Sequence, residues 1–151
     1  MRQFIVLGHE APTTADFSLE DLSGAGRLDV LCRCVGAAGF LSHGLREDAR
    51  VRLVLNDPLT HRFESDTLRR LYPDERTIAA RIRDALDQRE DAIGHQPAEV
   101  SPGMALYRFG FETTFDAVAD DGTVMQLHAE GTPLPEASPP SDPVFGLSDH
   151  E

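Results

Sequence analysis

The stretch Gln3–Gly8 reads QFIVLG, four consecutive β-prone apolar residues closed by a glycine. A continuous apolar run of this kind predicts a strand buried on both faces, as in the parallel part of an α/β sheet. The next residues are His9 and Glu10, and ligands of open α/β sheets gather at the carboxyl ends of the strands. This pair therefore belongs either to a site or to an ordinary solvated loop.

Helices and strands alternate along the rest of the chain, which predicts an α/β fold with a mostly parallel sheet flanked by helices. Apolar residues at helical spacing predict helices over 25–42, 73–94 and 111–118. Further apolar runs bounded by turn residues predict strands over 50–55, 60–64, 104–109, 123–128 and 144–147. We expect residues 1–151 to form a single domain, with a proline-rich linker at 131–143.

The charge of the chain is strongly acidic and unevenly distributed. It holds 26 acidic residues against 14 basic ones, all arginine, for a net charge of −12. Residues 109–151 carry no basic residue at all. Such acidity argues against a surface that is cationic all over, and it fits a very salty cytosol in which dense carboxylates keep a protein hydrated.

Several motif classes are missing from the sequence. No GxGxxG, GxxxxGK[ST], GxSxG or HExxH pattern occurs, so the sequence predicts no dinucleotide loop, triphosphate loop, hydrolase elbow or metal site. Gly24-Ala25-Gly26 could begin a phosphate-binding helix or be a flexible helix entry. Cys32 and Cys34 lie two positions apart in a predicted helix, so we interpret them as buried thiols of a reducing compartment, the cytoplasm.

The segment from Leu68 to Thr77, LRRLYPDERT, concentrates charge around a helix start. Arginine forks can hold phosphates, and a helix N-terminus adds partial positive charge. A nearby carboxylate could serve as a general base or orient a reacting base edge. The alternative is ordinary helix-start chemistry, with acidic residues at the positive end of the helix and solvated arginines.

Four segments in order resemble the archaeal tRNA (pseudouridine-54 N1)-methyltransferase family of the SPOUT superfamily. They are MRQFIVLGHEAPTT, GRLDVLCRCVGAAGFLSHGLR, RRLYPDERTIAARIRDAL and VFGLSDH. Together with the lysine-free acidity, they indicate a halophilic archaeon. The resemblance implies a SPOUT-type α/β fold, S-adenosylmethionine as the cofactor, tRNA as the partner and a homodimer in the complete family member.

The resemblance also assigns roles to individual residues. Asp74 matches the acidic position of the family's PDER-type segment and is the expected base or nucleobase orienter, with Arg76 holding RNA or the developing charge. Arg69 and Arg70 are expected to meet phosphate. Leu147 matches a cofactor-contact position of the family.

Family members continue beyond the segment that VFGLSDH matches, into the remainder of a trefoil knot. We therefore expect this chain to be a C-terminally truncated form in which most of the cofactor pocket is missing. Its activity alone is then in doubt, and the alternative is a non-catalytic RNA-binding or interaction domain derived from the same fold.

Overall fold

The computed structural model describes residues 2–41, 44–45, 48–55, 59–68, 74–93, 96–119, 124–126, 130, 132–133 and 144–148. The strands are β1 (Arg2–Gly8), β2 (Phe40–Leu41), β3 (Gly44–Leu45), β4 (Ala49–Leu55), β5 (Leu59–Glu64), β6 (Ala98–Ser101), β7 (Met104–Tyr107), β8 (Val124–Gln126) and β9 (Val144–Ser148). The helices are α1 (Leu28–Gly39), α2 (Glu75–Asp87) and α3 (Phe111–Ala119), and a short 3₁₀ turn follows α2 at Arg89–Asp91.

Seven strands form one sheet in the order β6-β7-β5-β4-β1-β9-β8, and β2 pairs with β3 in a separate hairpin. β1 lies in the parallel part, between β4 and β9, and β8 extends this part beyond β9. β5, β7 and β6 continue the sheet with antiparallel pairings. The predicted α/β class is confirmed, with a parallel part around β1 and β9 and an antiparallel part from β4 to β6.

Helices pack on both faces of this sheet. On one face α1 and α2 bury an apolar cluster against β1, β4 and β5, built around Leu31, Ile82 and Phe63. On the other face Val118 of α3 packs with a smaller cluster on β1, β4 and β9, consisting of Ile5, Val54 and Val144. β1 is therefore buried from both sides, as its continuous apolar run predicts.

Several element boundaries differ from the sequence prediction. α1 begins at Leu28 rather than at residue 25, because Gly26 and Arg27 both adopt positive φ angles of 59°. It ends at Gly39, before the small hairpin of β2 and β3. β6 lies between the predicted helix over 73–94 and the predicted strand over 104–109, where no strand is predicted. The predicted linker at 131–143 lies outside the described residues except at 132–133.

No helix in the described part of the chain is long and apolar enough to cross a bilayer.

Candidate active site

Asp74 caps the N-terminus of α2. Its carboxylate accepts hydrogen bonds from the backbone N–H of Thr77 at 2.9 Å and from the Thr77 hydroxyl at 2.7 Å. These bonds satisfy donors that a helix start would otherwise leave unpaired. Pro73, predicted as the first helical residue, precedes the cap and lies outside the described residues.

The same hydrogen bonds keep Asp74 ionised. The Thr77 side chain and then its backbone N–H stabilise the carboxylate form and lower the pKa of Asp74 below its ordinary value. An exposed carboxylate has about four acceptor positions, and the Thr77 donors leave some of them open. Asp74 can therefore accept a further hydrogen bond from a ligand while it caps the helix.

Arg76 lies in an exposed ion pair with Glu20, from the loop that connects β1 to α1. Such exposed pairs contribute less than about 1 kcal/mol, so a phosphate could replace the carboxylate. The shallow depression around Arg76 measures about 400 Å³ and holds two arginines and four carboxylates. Its charge is thus net negative, which opposes the binding of RNA at this point.

A buried carboxylate organises this depression. Asp29, at the start of α1, has a side chain only 7% exposed and pairs with Arg27 and Arg33 at 3.0 and 3.1 Å. Burial would raise the pKa of Asp29, but the hydrogen bond and charge of Arg27, with help from Arg33, hold it below its ordinary value. Arg33 reaches on to Glu75 of α2 at 2.6 Å. This chain of ion pairs joins α1 to the start of α2.

Leu147 lies in another part of the fold. It pairs with Val6 of β1 in the parallel register and is half-buried against the larger core cluster. One residue later β9 ends, beside the point where β1 leads into His9 and Glu10. From β1 the sheet extends to β4 on one side and to β9 on the other, and ligands of α/β sheets bind where the strand order reverses in this way. Leu147 therefore lies near the carboxyl end of β9, whereas Asp74 and Arg76 lie at the start of α2.

The loop after β1 encloses a second depression, of about 320 Å³. It is lined partly by carboxylates and partly by apolar groups, including Glu10, Asp16, Asp21, Pro12 and Phe17. Gly26 forms part of its wall, and a Cβ added there would lie 1.7 Å from the carbonyl oxygen of Glu10. Only glycine fits this close approach of two backbone segments.

We expect Gly26→Ala to lower the free energy of unfolding by about 3 kcal/mol, because it adds both a left-handed strain and a steric clash. Gly39→Ala is the matched control, since a Cβ there meets nothing within 4 Å. It should leave stability unchanged or raise it by about 0.5 kcal/mol. Denaturant unfolding of both variants in the same salt measures the difference. Equal effects of the two substitutions would contradict the assigned role of Gly26.

The other residues singled out in the sequence are two arginines and two cysteines. Arg69 and Arg70 lie outside the described residues. Cys32 is fully buried, and burial, with the nearby charges of Glu75 and Asp29, raises the pKa of its thiol to about 12, in agreement with a structural role. Cys34 is half-buried. Within the described ranges, no group of three or more metal-binding side chains was found.

A group of arginines on the open sheet face is not marked by any sequence motif. The open sheet face is the face of β4, β5 and β7 that α1 and α2 do not cover. We call Arg50, Arg52 and Arg62 the sheet-face arginines. The alternation in ARVRLVL was the available signal, because residues two apart on a strand share a face. Arg62 could not be assigned to this group without the pairing of β4 and β5.

The protein is thus of the α/β class, with a polar, carboxylate-lined loop after β1 at the place where ligands of open α/β sheets bind. A family model described as "Putative SAM-dependent RNA methyltransferase" matches residues 1–151, and the chain belongs to this family.

Relatives with assigned names extend this result. The tRNA (pseudouridine(54)-N(1))-methyltransferase of Haloferax volcanii is 63% identical over 151 residues, which cover 99% of this chain and 76% of the relative. The protein of the same name from Haloarcula marismortui is 64% identical with the same coverage. That from Thermococcus kodakarensis is 42% identical over 159 residues, covering 99% of this chain and 79% of the relative.

Proposed function

We propose that the protein transfers a methyl group from S-adenosylmethionine to N1 of the pseudouridine at position 54 of tRNA. The observation that carries this proposal is the match of the family along residues 1–151, together with the name shared by the relatives. A tRNA substrate and the buried, reduced thiol of Cys32 support a cytoplasmic location. We further propose that the protein works as a homodimer.

The edge of the sheet near Leu147 fits the proposed cofactor. S-adenosylmethionine supplies a methyl group on a positively charged sulfur, which makes that methyl carbon open to attack by a nitrogen. Leu147 offers an apolar contact for a flat base. The carboxylates of Glu10, Asp16 and Asp21, in the loop that leaves β1, are acceptors suited to a cation and to hydroxyl groups. Leu147 is our proposed cofactor contact.

The proposed reaction requires the loss of a proton. N1 of pseudouridine carries a hydrogen, so the N–H bond must break as the nitrogen gains the methyl carbon. The bond between that carbon and the sulfonium sulfur breaks at the same time, and neutral S-adenosylhomocysteine would be the leaving group. The lowered pKa of Asp74 makes it a poor final acceptor of this proton. We propose that the ionised Asp74 accepts a hydrogen bond from the nucleobase, orients it, and stabilises the loss of the proton to solvent.

Arg76 is proposed to contact RNA after exchange of its exposed partner, Glu20. Arg69 and Arg70, a few residues earlier, are proposed to meet phosphate. The target base must leave its stack before its N1 edge can meet a methyl donor. An enzyme that acts in a tRNA loop therefore needs both contacts to the backbone and a pocket for the base.

The test is a methyl-transfer assay in concentrated potassium chloride. The chain is incubated with S-adenosylmethionine labelled in its methyl group and with tRNA that carries pseudouridine at position 54. Label in the T-arm of the tRNA supports the proposal. Binding of tRNA without transfer would instead support the alternative, a non-catalytic RNA-binding domain with this fold.

A further inference from the structure

Three arginines meet on the open sheet face in an arrangement that is unfavourable without an anion. Arg52 of β4 and Arg62 of β5 are directly opposite each other in the antiparallel register. Arg50 lies on the same face, two residues before Arg52. Like charges directly opposite on neighbouring strands destabilise a sheet. Natural sequences break such a rule mainly at functional sites.

Within the part of the chain that the structure describes, one carboxylate forms ion pairs with the sheet-face arginines. Glu64 pairs with Arg50, and it lies 3.4 Å from Arg62. Among the described residues, Arg52 has no acidic partner, and it donates a hydrogen bond to the neutral Gln3 at 2.7 Å. Burial, and then the charges of Arg50 and Arg62, lower the pKa of Arg52 to about 10. The sheet-face arginines thus form a locally positive surface in a chain whose net charge is −12.

Aromatic rings continue this surface. The Arg62 guanidinium lies over the ring of Tyr107, 5.2 Å from its centre, and donates a hydrogen bond to the Tyr107 hydroxyl. The Tyr107 ring contacts Phe109 at 4.9 Å between centroids. Tyr107 pairs with Thr60, which pairs with Val54 near the carboxyl end of β4. The rings therefore lie near the carboxyl ends of β4 and β1, at the same edge of the sheet as the proposed cofactor site.

The surface is partly accessible. The side chains of Arg50 and Arg62 are 24% and 26% exposed, and Arg52 between them is half-buried. α3, the described helix on this face, places its core residue Val118 over Ile5, Val54 and Val144, on the β9 side of the sheet. The parts of these arginines that solvent reaches can thus take an additional partner.

We propose that the sheet-face arginines and Tyr107 form a second contact surface for tRNA, in which the arginines bind backbone phosphates and the Tyr107 ring stacks on an unpaired base. Arginines interleaved with aromatic rings on a sheet are suited to single-stranded RNA loops. Phosphate oxygens would also relieve the repulsion between Arg52 and Arg62. This inference rests on the proposed function for its choice of RNA.

The test compares Arg52→Gln with Arg2→Gln. Both variants lose one positive charge, but Arg2 is exposed and lies on the opposite face of the sheet, at the start of β1. Affinity for tRNA is measured over a range of potassium chloride concentrations, alongside thermal unfolding and methyl transfer at saturating tRNA.

We expect Arg52→Gln to bind tRNA about tenfold more weakly and to reduce the slope of log affinity against log salt by about 0.8. Its melting temperature should be unchanged or higher, since the removed charge faces two other arginines. Arg2→Gln should change affinity by less than about twofold. Arg52→Lys should restore the salt slope, because it restores the charge. Tyr107→Phe should bind tRNA with the affinity of the parent chain, whereas Tyr107→Leu should bind tRNA about tenfold more weakly.

Equal affinities for Arg52→Gln and Arg2→Gln would overturn the proposed surface, and so would the absence of tRNA binding by the parent chain. If the parent binds tRNA and Arg52→Gln weakens this binding, but no methyl transfer occurs, the surface stands and the proposed enzymatic function fails. If methyl transfer occurs and Arg52→Gln leaves tRNA affinity unchanged, the function stands and the surface fails.

Discussion

Replacing His61 by leucine should remove most of the sensitivity of this fold to mild acid. His61 lies on β5 opposite Leu53 and Leu106, and its side chain is fully buried. Its ring stacks on Phe63 at 4.3 Å between centroids, and neither ring nitrogen has a hydrogen-bond partner among the described residues. Burial in this apolar setting lowers the pKa of His61 to about 3.

The direction of the pH effect follows from this pKa. In the unfolded chain a histidine titrates near pH 6.5, so acid protonates the unfolded state first and stabilises it. Stability is therefore complete above about pH 6.5 and falls by about 1.4 kcal/mol per pH unit as the pH drops toward 3. By pH 5 the loss attributable to His61 is about 2 kcal/mol.

The measurement is denaturant unfolding of His61→Leu and the parent chain at about pH 7.5 and pH 5 in the same salt. The window stays above the range in which Asp29 and Asp74, whose pKa values are lowered, would take up protons. The variant should lose about 2 kcal/mol less than the parent on acidification. At neutral pH it should be about 1 kcal/mol more stable, because two unpaired nitrogens leave the core.

His9→Gln is the matched control, since His9 is exposed at the end of β1. This variant should keep the parent's loss of stability on acidification. An unchanged acid loss in His61→Leu would show that His61 is not a buried neutral histidine.

Asp74→Asn should lower the rate of methyl transfer about a hundredfold while leaving the fold intact. Asparagine is as good a helix cap as aspartate, so the hydrogen bond from Thr77 can persist. What the substitution removes is the negative charge that is proposed to orient the nucleobase. The melting temperature and the tRNA affinity should therefore stay close to those of the parent.

Asp84→Asn on the same helix is the control for this experiment. Asp84 is exposed and pairs with Arg81 at 3.1 Å, so its loss should leave transfer unchanged. Transfer kinetics at saturating tRNA, with tRNA affinity measured separately, decide between the two roles of Asp74. Parallel losses of stability, tRNA affinity and transfer in Asp74→Asn would mean that the residue mainly builds the helix start.

Much of the secondary structure could be predicted from local sequence patterns. The run QFIVLG predicted β1, because a strand that is buried on both faces requires continuous apolar residues. Helix α2 followed from the spacing of Ile78, Ile82 and Leu86. β6 escaped prediction because its four residues alternate weakly and lie between two prolines, Pro97 and Pro102. Its place depends on pairing with β7, which local sequence does not encode.

The candidate site was less accessible to sequence reasoning. LRRLYPDERT indicated a charged helix start, but it could not show that Glu20 from a distant loop pairs with Arg76. Nor could it show that carboxylates outnumber arginines around that residue. The sheet-face arginines come from two strands and become neighbours only through the register of β4 and β5. Sheet register, rather than composition, thus creates the positive surface.

The most direct test of the central claim compares two tRNA substrates that differ at one position. One carries pseudouridine at position 54 and the other carries uridine there, and both are incubated with the protein and S-adenosylmethionine in concentrated potassium chloride. Mass spectrometry of the digested RNA identifies the methylated nucleoside. The account predicts N1-methylpseudouridine at position 54 in the first tRNA and no methylation at that position in the second. Methylation of uridine 54, or of a different position in both tRNAs, would contradict it.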